Sequence, residues 1–394
     1  MFTKSNFILT ESETKLNNKI ISLKADSGSH SPSIHTLKEQ VKDLNIHVDA
    51  CFLSNPYATE LYMDYFKSDI LDKGILRDLL EFYPSQNSVI ANLVSTSINV
   101  PANNIFIGNG AIEIIQAIIH QFARKSIVVN IPTFSSYYEF AKDVVNVFFY
   151  KLEKSENFCL NVDHYIKFIK EVKPDTIVLI NPNNPTGSYL LKNDLIKILN
   201  ELSFIENIII DESFMHFAFE DEFYNEISLY EMINDFKNLF IVKSMSKDFG
   251  IAGIRAGYAI MQEDKIRKLL KNGYLWNSNG LAEHFFRLYG TKEFSEKYQF
   301  VRKKYINETQ KFIKDLSCVP KIKIYPSSAN FVLIELQDET SSDLVTSILL
   351  IRYGIYVRNC DDKIGLEKGK YLRIASRGNV DNNKIITALN NLMY

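Results

Sequence analysis

From residue 105 onward the apolar positions fall into two alternating kinds of run. Short, nearly all-apolar stretches rich in β-branched residues predict strands at Ile105–Ile107, Ile127–Asn130, Val145–Tyr150, Thr176–Ile180, Ile208–Ile210, Leu239–Val242 and Gly257–Ile260. Between them, Ile112–Phe122, His164–Val172 and Lys192–Leu202 carry apolar residues at helical spacing. Uninterrupted apolar strands separated by helices predict a seven-stranded, mainly parallel sheet covered by helices on both faces. This is a large α/β domain, set at residues 61–280.

After Trp276 the pattern changes. Phe294–Leu316 predicts one long charged helix, Lys321–Tyr325 and Phe331–Leu336 a strand pair, and Asp343–Arg352 a helix. Tyr371–Ala375 predicts another strand and Asn382–Leu392 a closing helix. That order predicts a smaller α+β domain over 281–394. Upstream, residues 1–60 read as an irregular arm joining the small domain, with one helix around Ile34–Leu44 that Ser33 caps. Residues 27–33 are loop-like by their turn residues.

At 394 residues the chain is long enough for two domains. Its 45 Lys and Arg against 47 Asp and Glu give a net charge of −2, so no basic footprint for nucleic acid is present. An anionic small substrate must therefore be caught by local arginines. Cys51, Cys159, Cys318 and Cys360 are scattered without a CxxC pair, which fits reduced thiols better than a disulfide framework or a zinc site. The seven histidines show no ligand spacing, so no metal is expected. Residues 1–25 lack a signal-peptide apolar core, and no run approaches the length that spans a bilayer. A soluble cytoplasmic protein without membrane contact is expected.

The densest chemistry follows the strand ending at Val242, in Ser244-Met-Ser-Lys-Asp-Phe-Gly-Ile-Ala-Gly-Ile-Arg-Ala-Gly-Tyr258. Lys247 lies just past a strand end, where open α/β sheets bind ligands. Ser244 stands three residues before it and Arg255 eight after. A lysine among hydroxyls, small residues and one arginine suits a Schiff base to an aldehyde cofactor whose phosphate Ser244 and Arg255 hold. Most lysines are solvated surface charges, so partners elsewhere must carry the case.

Four segments supply them. Gly108-Asn-Gly110-Ala111-Ile112-Glu113 turns from a strand into a helix, whose N-terminus favours phosphate; alone, such a turn is often only a turn. Phe134 follows the next strand, a core residue by base rate and a ring-stacking platform by position. In Asn181-Pro-Asn-Asn184-Pro-Thr-Gly187 two X-Pro units stiffen a loop from which Asn184 can donate to a phenolate oxygen. Asp211 ends an apolar strand, where an unpaired carboxylate is costly. Pairing it with a protonated pyridine nitrogen removes that cost and makes the ring an electron sink; a helix N-cap is the rival reading.

Asn184, Asp211, Ser244, Lys247 and Arg255 occur in the order of the pyridoxal-phosphate enzymes of the aspartate-aminotransferase fold (fold type I), with the family's spacings from Asp to Lys and from Lys to Arg. Over about residues 45–394 the chain resembles the branch holding histidinol-phosphate aminotransferases and threonine-phosphate decarboxylases. The resemblance implies pyridoxal 5'-phosphate as cofactor, joined to Lys247, which then acts as acid and base. It implies Asp211 on the ring nitrogen, Asn184 on the ring O3′, and Gly110, Ala111, Ile112, Ser244 and Arg255 on the phosphate. Tyr83, in Tyr83-Pro-Ser-Gln86, would reach the phosphate of the neighbouring subunit's cofactor, which implies a homodimer with shared active sites. Arg373, in Tyr371-Leu-Arg373-Ile, matches the family's arginine for the substrate carboxylate, a bidentate task suited to guanidinium. Arg358, in Tyr356-Val-Arg358-Asn-Cys360, matches the one that meets a substrate phosphate.

Three departures separate the chain from the aminotransferases. The family's Asp-Glu-Ala-Tyr is Asp211-Glu-Ser-Phe214, which lacks the phenol on O3′ and resembles the decarboxylases. Arg377 follows Arg373 by four residues, where the aminotransferases tend to have a small residue and the decarboxylases an arginine. Ser29-His30-Ser31 loosely resembles an N-terminal motif of those decarboxylases. The expectation is therefore decarboxylation of phosphoserine or phosphothreonine to the amino-alcohol phosphate, with Arg358, Arg373 and Arg377 gripping the substrate's anions. The alternative is transamination of a phosphorylated amino compound. A non-enzymatic pyridoxal-phosphate regulator would need a basic DNA-binding extension, which residues 1–60 do not supply.

Overall fold

The apolar runs become strands because both of their faces are covered. The computed structural model describes residues 7–28, 30–218, 227–274 and 277–393. One sheet contains the strands Ile105–Gly108, Ser126–Ile131, Asn146–Lys151, Thr176–Ile180, Asn207–Asp211, Leu239–Ser244 and Gly257–Ile260. Across the sheet their order is 105–108, 257–260, 239–244, 207–211, 176–180, 126–131, 146–151. Neighbours are parallel except at Gly257–Ile260, which runs antiparallel to both its partners. The fold is the expected α/β architecture with a seven-stranded, mainly parallel sheet.

Every residue of the adjacent strands 176–180, 207–211 and 239–244 is buried. Ile208 and Ile210 enter the core on one face and Ile209 the core on the other. Alternation of this kind explains why the run had to be apolar throughout. The edge strand Asn146–Lys151 is only partly covered. At the opposite edge a side chain stands in for a missing strand. Asn87 accepts from Ile107 N at 2.7 Å and donates to Ile105 O at 3.2 Å, which blunts that edge.

The chain divides into two compact units. The larger comprises residues 54–184 and 188–304; the smaller comprises the residues up to Leu53, 185–187 and Tyr305 onward. The sequence pattern placed its boundaries after 60 and 280. The later division instead falls between Lys304 and Tyr305, inside the helix Lys292–Leu316, where unbroken helical periodicity offers no punctuation.

The smaller unit carries a five-stranded sheet in the order Val48–Ala50, Ile355–Asn359, Tyr371–Ala375, Phe331–Leu336, Ile322–Ile324. Only Val48–Ala50 pairs in parallel. Helices Ser342–Tyr353 and Asn379–Met393 contribute to the same apolar core as this sheet. The N-terminal arm is not irregular. It forms a helix Glu11–Asp26, capped by Thr10 with Glu13 completing the capping box, and a second helix Ile34–Gln40, capped by Ser33 as expected. None of the first helix's residues is fully buried, but Leu16, Ile20 and Leu23, at helical spacing, pack against the apolar cluster of Leu37, Leu350 and Tyr356. Ion pairs Glu13–Arg352 at 2.7 Å and Lys24–Asp343 at 3.3 Å hold the helix. Ser29 of the Ser29-His30-Ser31 loop lies outside the described residues. No helix among the described residues is long and apolar enough to cross a membrane.

Candidate active site

In the larger unit three neighbouring strands end together. Ile180, Asp211 and Val242 are partners across the sheet, so the loops that follow open at one place. A cavity lies there, lined by Ala111, Ile112, Phe134, Asn184, Asp211, Phe214, Ser244, Lys247 and Arg255. It gathers every residue expected to hold a cofactor except two. Gly110 borders it at the helix N-terminus beside Arg255, and Tyr83 is 87% exposed and outside it.

Lys247 sits in the turn after the strand Leu239–Ser244. Its carbonyl accepts from Asn55 N at 2.9 Å and from Gly250 N at 3.3 Å. Gly250 takes φ +64°, a left-handed conformation natural to glycine. Lys247 Nζ donates to Ser244 Oγ at 3.4 Å. The turn thus fixes the lysine's backbone and aims its amine along the cavity wall.

Asp211 is only 4% exposed. The Tyr137 hydroxyl donates to its Oδ2 at 2.9 Å and Ser213 N to its Oδ1 at 2.9 Å. Burial raises this carboxyl above the usual range, opposed by the Ser213 and Tyr137 hydrogen bonds and by the Lys247 charge. Burial, with the Asp211 charge, also pushes the Tyr137 phenol far up, so the hydroxyl remains a donor. A carboxylate furnished with two donors and buried in this way is completed by a cation in the cavity.

The other end of the cavity suits an anion. Gly110 caps the helix Ala111–Phe122 at φ +80°. A Cβ at Gly110 would strike the Arg255 guanidinium, so that cation lies against the helix N-terminus, where the dipole and unpaired N–H groups already favour negative charge. The guanidinium is steadied by NH1 donating to Ala252 O at 3.1 Å. Ser246 Oγ, fully buried in the same wall, has no hydrogen-bond partner among the described residues. An anion site, an amine and a cation-seeking carboxylate together fit a flat phosphorylated heteroaromatic aldehyde, namely pyridoxal 5'-phosphate.

Two loops brace the remaining wall. Asn183 donates to Pro132 O at 3.0 Å and accepts from Thr133 Oγ1 at 2.6 Å, which ties the Asn184 loop to the Phe134 loop. Asn181 bonds Leu190 in both directions, at 2.9 and 2.8 Å. Phe214, 4% exposed, presents a ring without a hydroxyl to the cavity. Sequence reasoning missed Tyr137, Ser213 and Ser246. Ser246 was within sight, one residue before Lys247, but Tyr137 meets Asp211 across 74 residues and leaves no local signal.

The three expected substrate arginines belong to the smaller unit. Arg358 and Arg373 are direct partners on neighbouring antiparallel strands, 6% and 8% exposed. Arg373 NH2 donates to Cys51 O at 2.6 Å; Arg358 donates to Ser31 Oγ at 2.8 Å and to Asp362 Oδ2 at 2.6 Å. Burial pulls the Arg373 guanidinium below its usual range. Burial also raises Asp49, while the Arg377 and Arg373 charges hold it down, which places Arg377 in the same neighbourhood. Lys363, missed in the sequence, is 6% exposed and 3.4 Å from Asp362 Oδ2. Arg358, Arg373 and Lys363 are thus buried in one neighbourhood, where Asp362 lies against both Arg358 and Lys363.

Residues 78–392 match the family model described as aminotransferase class I and II. The chain is 56% identical over 381 residues to an L-serine phosphate decarboxylase of Campylobacter jejuni, with 97% of each chain covered. It is 36% identical over 299 residues to a histidinol-phosphate aminotransferase of Thermoanaerobacter pseudethanolicus, covering 75% of this chain and 79% of that one. Among solved structures, a decarboxylase from Sulfurospirillum multivorans aligns with a TM-score of 0.91 at 44% identity, covering 97% of both chains.

Proposed function

The chain belongs to the aminotransferase class I and II family, and from that premise we propose that it is a pyridoxal-phosphate-dependent decarboxylase of L-serine phosphate, releasing CO2 and the amino-alcohol phosphate. One observation carries the choice of substrate. Arg358, Arg373 and Lys363 are buried together, and three clustered cations suit a substrate that carries a phosphate as well as an α-carboxylate. The 56% identity with the Campylobacter jejuni enzyme supports the same reading.

Bound in the cavity, the cofactor supplies an electron sink for the pair left behind when a bond at the substrate α-carbon breaks. Lys247 would hold its aldehyde carbon, Asp211 its protonated ring nitrogen and Asn184 its O3′, with Phe134 against the ring face. Gly110, Ala111, Ile112, Ser244 and Arg255 would hold its phosphate, joined by Ser246. Loss of CO2 leaves the α-carbon one proton short, and Lys247 Nζ is the ammonium that would return it. Arg373 would take the substrate carboxylate, with Arg358 and Arg377 on the phosphate. By anchoring both anions, these arginines would fix the orientation of the α-carbon toward the electron sink, and so which of its bonds is broken.

We read the protein as a cytoplasmic homodimer. All four cysteines are free thiols, in keeping with a reducing compartment. The exposed Tyr83 phenol is suited to reach the phosphate site of a second copy. Transamination is the rival reaction, supported by the histidinol-phosphate aminotransferase relative. Incubating the purified protein with phosphoserine and trapping the gas decides the matter. Release of CO2 in step with the amino-alcohol phosphate is expected; a 2-oxo acid without gas would refute decarboxylation.

A further inference from the structure

Behind the Lys247 turn, on the side away from the cavity lining, lies a group of charges that the proposed mechanism does not use. Lys243 and Asp248 are 3% and 0% exposed and form a direct ion pair. Lys243 Nζ also donates to the carbonyl of Glu212 at 3.0 Å. Glu212 follows Asp211 in the chain, and Asp248 follows Lys247. A single ammonium therefore joins the segment that carries Asp211 to the turn that carries Lys247.

Around this pair, Arg302 supplies a second buried cation and His216 supplies none. His216 Nδ1 lies 3.4 Å from Asp248 Oδ2, but burial first, then the Lys243 and Arg302 charges, hold that imidazole well below its usual range, so it is neutral and supplies no countercharge. Its Nδ1 is also bonded to Tyr298 Oη at 2.8 Å. Arg302, 1% exposed, donates to the His216 carbonyl at 2.5 Å. The Glu212 carboxylate is turned away, accepting from Ser228 Oγ at 2.5 Å and Leu229 N at 3.0 Å. Asp248 Oδ1 has no hydrogen-bond partner among the described residues. Desolvation pushes Asp248 up to about 6, against the pull of Lys243, Arg302 and Lys247.

A buried ion pair is a poor device for stability, because apolar residues of similar volume do as well or better. Its position is more telling than its energy. Asp248 feels the charge of Lys247, and the Coulomb interaction is mutual, so Lys247 feels a carboxylate that is itself fully buried and little screened.

We propose that Lys243 and Asp248 are positioning residues for the Lys247–Asp211 pair, stapling their two backbone segments together and setting the field at the Lys247 nitrogen. This inference rests on the cofactor reading above. It yields a signature that structural damage does not: removing the anion must lower the midpoint of that nitrogen, while Lys243→Arg, which keeps the cation, must leave it in place.

The test is a pH titration of the visible absorbance of the holoenzyme, for wild type, Asp248→Asn and Lys243→Arg, with cofactor affinity measured alongside. The midpoint is expected to fall by about one unit in Asp248→Asn and to stay at the wild-type value in Lys243→Arg. An Asp248→Asn midpoint that does not fall, or a Lys243→Arg midpoint that falls with it, overturns the proposal. In the double variant Lys243→Met with Asp248→Leu the pair is gone and Arg302 remains, so its melting curve is recorded beside its cofactor affinity to confirm that it is folded. Its cofactor Kd is expected to rise about tenfold, since the staple is gone while the fold remains. A double variant with wild-type Kd and midpoint overturns the proposal equally. A wild-type protein that takes up no cofactor sinks the functional reading and this inference together, whereas a coloured wild type with unmoved variants sinks the inference alone.

Discussion

The Tyr137 hydroxyl donates to Asp211 Oδ2 at 2.9 Å with both side chains buried. With Ser213 N on the other oxygen, it opposes the desolvation that raises this carboxyl and holds it in one orientation. Removing the hydroxyl in Tyr137→Phe forfeits a hydrogen bond to a charged acceptor, about 1.5–3 kcal/mol. Cofactor affinity and kcat/KM should each fall about ten- to a hundredfold. Equilibrium dialysis of the cofactor checks the first, and an unchanged Kd would show that Asp211 does not depend on Tyr137.

Gly250 sets the Lys247 turn from the far side. At φ +64° an alanine is strained, and its methyl group would meet the Asn55 carbonyl and Thr59. Asn55 N is itself a donor to the Lys247 carbonyl, so the clash cannot be relieved without moving the turn. Gly250→Ala should lose at least about 1–2 kcal/mol of stability from the backbone conformation alone. Activity should fall further than the shifted melting curve explains, and a variant that melts and turns over like wild type refutes this account of the turn.

How much of this was legible beforehand follows from how each residue meets its partners. The seven strands were readable because two covered faces force an unbroken apolar run, as in Ile208–Ile210. Lys247, Asp211 and Asn184 were readable because each ends or follows such a run, and strand ends meet in a parallel sheet. Tyr137 and the Lys243–Asp248 pair were not. Their partners lie on other segments, and a buried polar residue resembles a surface one until the neighbour is known. The helix Glu11–Asp26 left a fainter trace: Leu16, Ile20 and Leu23 keep helical spacing, but they are only partly buried among many polar residues. Strand Ile355–Asn359 was read for its arginine, and its role beside Tyr371–Ala375 needed the pairing.

The same N-terminal helix carries a pH prediction. Arg352 grips Glu13 with Nε at 2.7 Å and NH2 at 2.9 Å, and Thr10 N adds a third donor at 2.8 Å. The Arg352 hydrogen bond, then the Thr10 amide, lower the Glu13 carboxyl to about 2. Because the folded value lies below the unfolded one, the contribution is present above pH about 4.5 and is lost as pH falls through about 2. Protease cleavage within residues 11–26 should therefore accelerate as the pH drops across that window. At neutral pH Glu13→Gln should be cleaved as wild type is in acid. Equal cleavage of wild type at both ends of the window refutes the role of the pair.

Arg373 and Arg358 are direct partners on neighbouring strands, and their proposed roles separate by ligand. Arg373→Lys keeps the charge but replaces a two-pronged planar donor with a point charge, which serves a carboxylate less well. It also takes the guanidinium donor away from the Cys51 carbonyl. If Arg373 takes the carboxylate, Arg373→Lys should raise the KM for phosphoserine by about tenfold or more. It should leave inhibition by the amino-alcohol phosphate, which has no carboxylate, nearly unchanged. Arg358→Lys should weaken substrate and product alike, since both carry the phosphate. Inhibition constants for the product in the two variants therefore sort the two arginines. Product binding that weakens in Arg373→Lys and survives in Arg358→Lys reverses the assignment, and binding that survives in both takes the phosphate away from this pair altogether.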